Sequence, residues 1–362
     1  MLDELFAEAE RQLNICNSCR YCEGYCAVFP ALERRTVLET GDITQLANLC
    51  HDCRACFHAC MYAPPHEFAV DPPAVLTAVR LASYDRYLPA AGRLWPGSLR
   101  PGWPRRWGAR ASAAAAVGLA LLVLAVATEG LSALFHHGSP YQVIPYPALL
   151  VTVLLPCAWS AAVMARALAA YWREVHGPLR DLADWRALGA ALVSAARLRN
   201  LRGGGEECYE GGSGPSAARR RLHTAVAGGF AACFASTLSA AFLQDVLGAA
   251  PPYPLLSVPV VAGTAGGLSM LAGCAGLIAL KRRGGPARVA DYGLLLGLGL
   301  LALTGLLTLL LRATPAFGLI LVAHLATIVV CFAIVPYTRF VHAGYRFLAI
   351  VSDNLEQRAG SR

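Results

Sequence analysis

The stretch CNSCRYCEGYC, residues 16–26, decides the fold of the N-terminal part, because its cysteine spacing returns in CHDCRACFHAC, residues 50–60. Both stretches read C-x2-C-x2-C-x3-C, the spacing of bacterial ferredoxin-type [4Fe–4S] modules. Three thiolates at two-residue gaps can wrap a tight loop around three corner irons, and the fourth cysteine then points away. The sequence therefore predicts two [4Fe–4S] clusters. Because electrons can pass between two adjacent clusters, it also predicts a role in electron transfer.

A crossed set of ligands is expected, because the fourth cysteine of each run usually binds the other cluster in two-cluster modules. The first cluster is assigned to Cys16, Cys19, Cys22 and Cys60, and the second to Cys50, Cys53, Cys56 and Cys26. A zinc ribbon usually presents separated C-x2-C pairs, which disfavours zinc. A disulfide framework needs a secreted chain, whereas the start MLDELFAEAERQLN is acidic and amphipathic and has no apolar signal core.

The composition changes sharply along the chain. Residues 1 to about 100 are polar and rich in cysteine, whereas the chain from about 111 onward is mostly apolar. Over all 362 residues, 56% hydrophobic content, 15% charged content and a mean hydropathy of +0.47 indicate a membrane protein. The net charge of +8 comes mainly from arginines in loops between apolar segments, which argues against nucleic acid as a partner.

Six apolar stretches are long enough to cross a hydrocarbon core of about 30 Å as helices. They are placed at roughly 111–134, 146–170, 222–247, 255–280, 290–312 and 315–338. Basic residues concentrate in alternate loops. By the positive-inside rule, this pattern predicts a multi-pass protein of the bacterial inner membrane with both termini in the cytoplasm.

The predicted fold class is all-α, with a helical ferredoxin-like domain followed by a six-helix, haem-binding transmembrane bundle. The expected limits are 1–100 for the cytoplasmic cluster domain, 101–350 for the membrane domain and 351–362 for a C-terminal tail. A cytoplasmic loop is expected at 171–221. Its segment 181–201 has helical periodicity and is expected along the membrane surface or under the cluster domain, and Cys208 is expected to be exposed.

Three histidines in or near the spans are functional candidates, because ionisable residues within a bilayer are costly. His223 opens the third span, His324 lies in the outer half of the sixth, and His342 follows its cytoplasmic end. The eighteen residues from His324 to His342 equal five helical turns, so both would project from one face of a continuous helix. His223 and His342 are predicted axial ligands of haem b, and simple interfacial histidines are the alternative.

The residues around these histidines also suit a haem. Gly228 and Gly229 would let a flat porphyrin approach the helix. Deeper in the membrane, the residue expected opposite His324 is Cys233 and not a second histidine, so one haem is predicted. His324 stays open as a ligand of a second haem, a quinone contact or a packed polar residue. Candidate partners for haem propionates are Arg219, Arg220, Arg221, Arg339 and Arg346.

The double cysteine run and the six-span body, ending in HLATIVVCFAIVPYTRFVHAGYR at residues 324–346, resemble the tricarballylate or citrate utilization protein B family over nearly the full length. The membrane half also resembles the haem-bearing gamma subunit of respiratory nitrate reductases. That family has two histidines ten residues apart on one helix and two eighteen apart on another. Here His324 and His342 keep the second spacing, whereas the first is reduced to His223 and Cys233.

The resemblance implies that the chain reoxidises the FADH2 of a partner flavoprotein dehydrogenase and passes electrons through two clusters and haem b to membrane quinone. The soluble head carries no flavin motif, dinucleotide fingerprint or acid–base pair, which predicts no substrate-level catalytic site in this chain. Glu129, Gln244 and Asp245 are candidate quinone contacts. The alternatives are a quinol-linked subunit that donates to a cytoplasmic reductase, a cluster-based sensor, a redox protein of cobalamin biosynthesis and a transporter.

Overall fold

The computed structural model describes residues 2–87, 112, 115–120, 122–124, 126–127, 129–135, 138–205, 207–209, 214–283 and 292–360. These residues are predominantly helical, as predicted. They also contain a short antiparallel sheet, in which β1 (Cys208–Tyr209) pairs with β2 (Pro215–Ser216).

The chain divides into two compact units. The first comprises Met1–Trp95, Val163–Arg220 and Val341–Arg362, and the second comprises Pro96–Ala162 and Arg221–Phe340. Most of the predicted cytoplasmic loop and the predicted C-terminal tail therefore belong to the same unit as the cysteine runs.

Five short helices form the N-terminal part of the first unit, as far as it is described. They are α1 (Leu2–Cys19), α2 (Val28–Glu33), α3 (Thr40–Leu49), α4 (Ala55–His58) and α5 (Pro72–Tyr87). Helix α3 begins with a capping box, in which Glu39 and Asp42 each accept a hydrogen bond from the other's backbone N–H. Leu13 of α1, Leu46 of α3 and Leu76 of α5 share one buried apolar core.

Later segments of the chain complete this core. They are the last turns of α6 (Tyr146–Val175), helix α7 (Trp185–Ala196) and helix α12 (His342–Gly360). Trp172, Ala187 and Ala349 are buried in the same cluster as Leu13 and Leu46. The segment 181–201 is thus mostly helical as expected, and its helix α7 contributes to the same buried core as α1, α3 and α5.

Five described helices are long and apolar enough to cross a membrane, which indicates a membrane protein. They are α6, α8 (Ala218–Asp245), α9 (Val258–Arg283), α10 (Gly293–Leu310) and α11 (Phe317–Ile334). Each coincides with a predicted span to within a few residues. The remaining prediction, 111–134, falls on a stretch that is only partly described, in which 115–120 and 122–124 are helical. The count of six spans therefore stays a prediction.

Helices α8 and α9 of the second unit approach each other through glycines. A Cβ atom at Gly229 would lie 2.6 Å from the carbonyl oxygen of Gly266 and 2.6 Å from the backbone nitrogen of Met270. A Cβ atom at Gly228 would meet nothing within 4 Å. Small residues let the two backbones come close. The expectation that Gly229 makes room for a porphyrin is therefore wrong, because α9 occupies that face of the helix.

The chain does not continue as one helix from His324 to His342. Helix α11 ends at Ile334, and two 3-10 turns, Val335–Tyr337 and Arg339–Val341, precede α12. Pro336 has no N–H to donate, and its ring disfavours helical backbone at the residue before it. The expectation that both histidines project from one face of a continuous helix is therefore wrong.

Candidate iron–sulfur centre

The cysteines predicted to hold the first cluster lie around one cavity. Its lining contains Cys16, Cys19, Cys22 and Cys60, together with Ile15, Tyr21, Phe29, Met61, Tyr62 and Val70. Arg20 adopts a left-handed conformation with φ of 56°, and this turn ends α1 and leads the chain to Cys22. Among the described residues that line the cavity, none carries a charged side chain. The first set thus has a mainly apolar surrounding.

The other four cysteines also lie close to one another. Burial, and after it the charge of Cys50, raises the pKa of the Cys26 thiol. Burial followed by the charges of Cys50, Cys26 and Cys53 raises the pKa of Cys56. Cys22 of the first set acts on Cys56 as well, so the two sets are neighbours.

The donor chemistry of both sets fits an iron–sulfur cluster. All eight cysteines are free thiols, and each set offers the four thiolates that a [4Fe–4S] cluster needs. Burial and, after it, the charges of neighbouring cysteines raise the pKa of Cys26 and of Cys56, and bound iron would compensate that charge. Among the described side chains, no group of three or more His, Cys, Asp or Glu is close enough for a single metal ion, whereas a cluster spreads four thiolates over four irons.

The segment around β1 covers the second cysteine run. The backbone N–H of Tyr209 donates to the carbonyl oxygen of Cys53 at 2.9 Å. The ring of Tyr209 stacks on His58 with the ring centroids 4.3 Å apart. Cys208 is fully buried, and it packs with Cys53 and Leu201. The expectation that Cys208 is exposed is therefore wrong, because this strand lies on the cysteine run and not in solvent.

Three guanidinium groups surround the second run. Arg80 donates to the carbonyl oxygens of Cys50 at 2.6 Å and Ala47 at 3.0 Å, and Arg219 donates to the carbonyl oxygen of Asp52 at 2.7 Å. Arg346 is half-buried, and its Nε atom is inaccessible to solvent. Burial, followed by the charge of Arg80, lowers the pKa of Arg346 to about 10, so Arg346 remains cationic near neutral pH.

The sequence interpretation missed Arg80. A signal was present, because Arg80 follows Leu76 and Val79 on the buried face of α5, where a charge is unusual. Arg219 and Arg346 were expected beside haem propionates, and the structure places both next to the cysteine run. Arg220 pairs with Glu207 through a hydrogen bond of 3.1 Å from its Nε, and Arg221 is exposed. Arg339 lies in the second 3-10 turn.

The three candidate histidines have different positions. His223 lies in the second turn of α8 and belongs to the second unit, whereas His342 is the first residue of α12 and belongs to the first unit. Haem ligation by this pair stays a prediction. His324 of α11 packs against α10, where its Nδ1 lies 2.9 Å from the hydroxyl oxygen of Thr304. His324 thus has the contacts of a packed polar residue.

Two of the candidate quinone contacts bind tyrosines of the second unit. The hydroxyl group of Tyr141 donates to Gln244, and that of Tyr146 donates to a carboxylate oxygen of Asp245 at 2.7 Å. Glu129 lies in a turn, where its N–H donates to the carbonyl oxygen of Val126 at 3.1 Å. The roles of these three residues toward a quinone stay predictions.

Two family models match the chain. The model described as citrate utilization protein B matches residues 109–362, and the model described as the citrate utilization protein B Fer4-like domain matches residues 9–86. The chain is also 38% identical to the citrate utilization protein B of Escherichia coli over 378 aligned positions, which cover 100% of this chain and 95% of that protein. No solved structure matches the chain.

Proposed function

Because the chain belongs to the citrate utilization protein B family, we propose that it is a membrane-anchored electron-transfer protein. In this proposal it takes electrons from the FADH2 of a partner flavoprotein dehydrogenase of the tricarballylate or citrate type and delivers them to the quinone pool. The observation that carries the proposal is the cavity lined by Cys16, Cys19, Cys22 and Cys60, in a chain whose described residues include five helices apolar enough to cross a membrane. A ferredoxin-like head and a membrane anchor suit transfer between a soluble donor and a lipid-soluble acceptor.

The eight cysteines would hold two [4Fe–4S] clusters, one at each set. Such a cluster, when bound, accepts and donates one electron at a time. The residues of the chain provide the surroundings: an apolar lining around Cys16, and a cover by Tyr209 over Cys53. Limited water access and nearby charges are the means by which a protein sets the potential of such a site.

A haem b is the second part of the proposal, with His223 and His342 as axial ligands. Its support is the resemblance to haem-bearing membrane subunits and the position of both histidines at the ends of apolar segments. A haem, when bound, supplies a one-electron carrier within the lipid. Arg221 and Arg339 are the proposed propionate partners, since Arg220 pairs with Glu207.

The proposed location is the bacterial inner membrane, with both termini in the cytoplasm. The support is the concentration of arginine and lysine in alternate loops between the apolar segments. This orientation keeps the thiols of the head in a reducing compartment, where cluster ligands stay reduced.

The proposal is tested with the full chain purified in detergent. The protein is reduced with one equivalent of dithionite per electron carrier, and a water-soluble quinone is added while the visible absorbance is followed. We expect rapid reoxidation by the quinone. Cys56→Ser should lower the iron content and slow the reoxidation, whereas Cys157→Ser, which changes a thiol in α6 outside both sets, should leave both unchanged.

Two results would reject the proposed function. One is a reduced protein that the quinone does not reoxidise. The other is Cys56→Ser protein that keeps the full iron content and the full reoxidation rate of the parent chain, because the second cysteine set would then hold no carrier.

A further inference from the structure

The two cysteine sets differ in the charges that face them. The residues that line the cavity of the first set carry no charged side chain. At the second set, Arg80 donates to the carbonyl oxygen of the ligand residue Cys50, and Arg219 donates to that of Asp52, two positions further on. Two guanidinium groups thus donate to the backbone of the second cysteine run.

The guanidinium group of Arg80 forms no ion pair among the described residues. Arg80 is 7% exposed, and its described hydrogen bonds go to two carbonyl oxygens and to the hydroxyl group of Thr77. The Nε atom of Arg346 is buried, and among the described atoms it has no hydrogen-bond partner. Arg54, by contrast, forms an ion pair with Asp71 at 3.3 Å.

A buried guanidinium group is costly unless an anion compensates it. A cluster with four thiolate ligands brings negative charge to this place, which gives the arginines a counterion. The reduction potential of a cluster depends on its net charge, on hydrogen bonds and on exposure. A positive charge nearby favours the reduced state, which carries one more electron.

We propose that Arg80, Arg219 and Arg346 act as tuning residues, which raise the reduction potential of the site formed by Cys26, Cys50, Cys53 and Cys56 above that of the site formed by Cys16, Cys19, Cys22 and Cys60. This inference rests on the proposed function, since it requires both sites to hold clusters. A single electron added to the protein then resides at the second site, and no bond or proton changes place.

The test is a redox titration of the detergent-purified full chain, followed by EPR spectroscopy. Each signal is assigned by its loss in Cys22→Ser or in Cys56→Ser. In the parent chain, we expect the signal that depends on Cys56 to appear at the higher potential. Arg346→Gln should shift only this signal to lower potential, and Arg346→Lys should restore it. The matched control is Arg358→Gln, which removes a charge from the same helix at a position bound to Asp184, and it should shift neither signal.

The inference is overturned if the second site titrates at or below the potential of the first. It is also overturned if Arg346→Gln keeps its iron and titrates as the parent chain does. Should Arg346→Gln lose iron, the half-buried Arg219 gives the deciding variant: a lower potential of the second site in Arg219→Gln supports the inference, and an unchanged potential overturns it.

The proposed function can fail separately. Shifted potentials in a protein that quinone does not reoxidise would reject the electron route and leave the tuning role intact. Rapid reoxidation by quinone, together with arginine variants whose potentials do not shift, would support the electron route and overturn the tuning role.

Discussion

The glycine contact between α8 and α9 gives a prediction with a defined size. In Gly229→Ala, the new methyl group would lie 2.6 Å from two backbone atoms of α9, which is 0.8 Å short of the 3.4 Å at which ordinary contact begins. Backbone atoms cannot rotate away, so the two helices must separate. Overpacking of this kind costs about 1–3 kcal/mol.

The matched control is Gly228→Ala, because a Cβ atom there meets nothing within 4 Å. Alanine is favoured over glycine within a helix by about 1 kcal/mol, and this stabilisation is the same in both variants. The difference in unfolding free energy between the two variants therefore isolates the clash, and we expect Gly229→Ala to be the less stable by about 1–3 kcal/mol.

The assay is unfolding of the detergent-purified protein in increasing SDS, followed by circular dichroism in the far ultraviolet. If Gly229→Ala unfolds at the same SDS content as Gly228→Ala, or at a higher one, the close approach of α8 and α9 is refuted.

Two further substitutions test the two units by the same unfolding assay. Arg35→Met removes a guanidinium group that is 9% exposed and pairs with the part-buried carboxylates of Asp42 and Glu356, and we expect a loss of about 1–3 kcal/mol. Arg11→Met, at an exposed pair, should cost less than about 1 kcal/mol. Equal losses would contradict the part-buried network. Thr304→Val removes the hydroxyl group beside Nδ1 of His324 and should cost about 1–3 kcal/mol. Thr308→Val, whose hydroxyl group bonds only within its own helix, should cost less, and the reverse order would contradict the packing of His324.

The features that sequence predicted well are local ones. Span positions depend on the hydropathy of about 20 consecutive residues, and proline-rich loops such as 251–254 mark where a span ends. Five described helices accordingly begin and end near the expected residues. The spacing of cysteines within each run is equally local and predicts a cluster-binding run, whereas the ligand assignment across the two runs stays a prediction.

The features that sequence missed depend on which segments meet in space. Arg80 and Arg346 are 266 positions apart, and only the packing of α12 with the N-terminal helices brings both to Cys50. The sequence around Gly229 does not indicate whether a helix or a ligand occupies that face of α8. Pro336 is the exception, since its effect is local and the break after α11 could have been predicted from it.

The most direct test of the account is the iron and acid-labile sulfide content of the detergent-purified full chain, together with its EPR spectrum after reduction with dithionite. We expect about eight non-haem irons and about eight acid-labile sulfides per chain, and two [4Fe–4S] signals. A colourless protein without iron, or a spectrum that dithionite does not change, would contradict it.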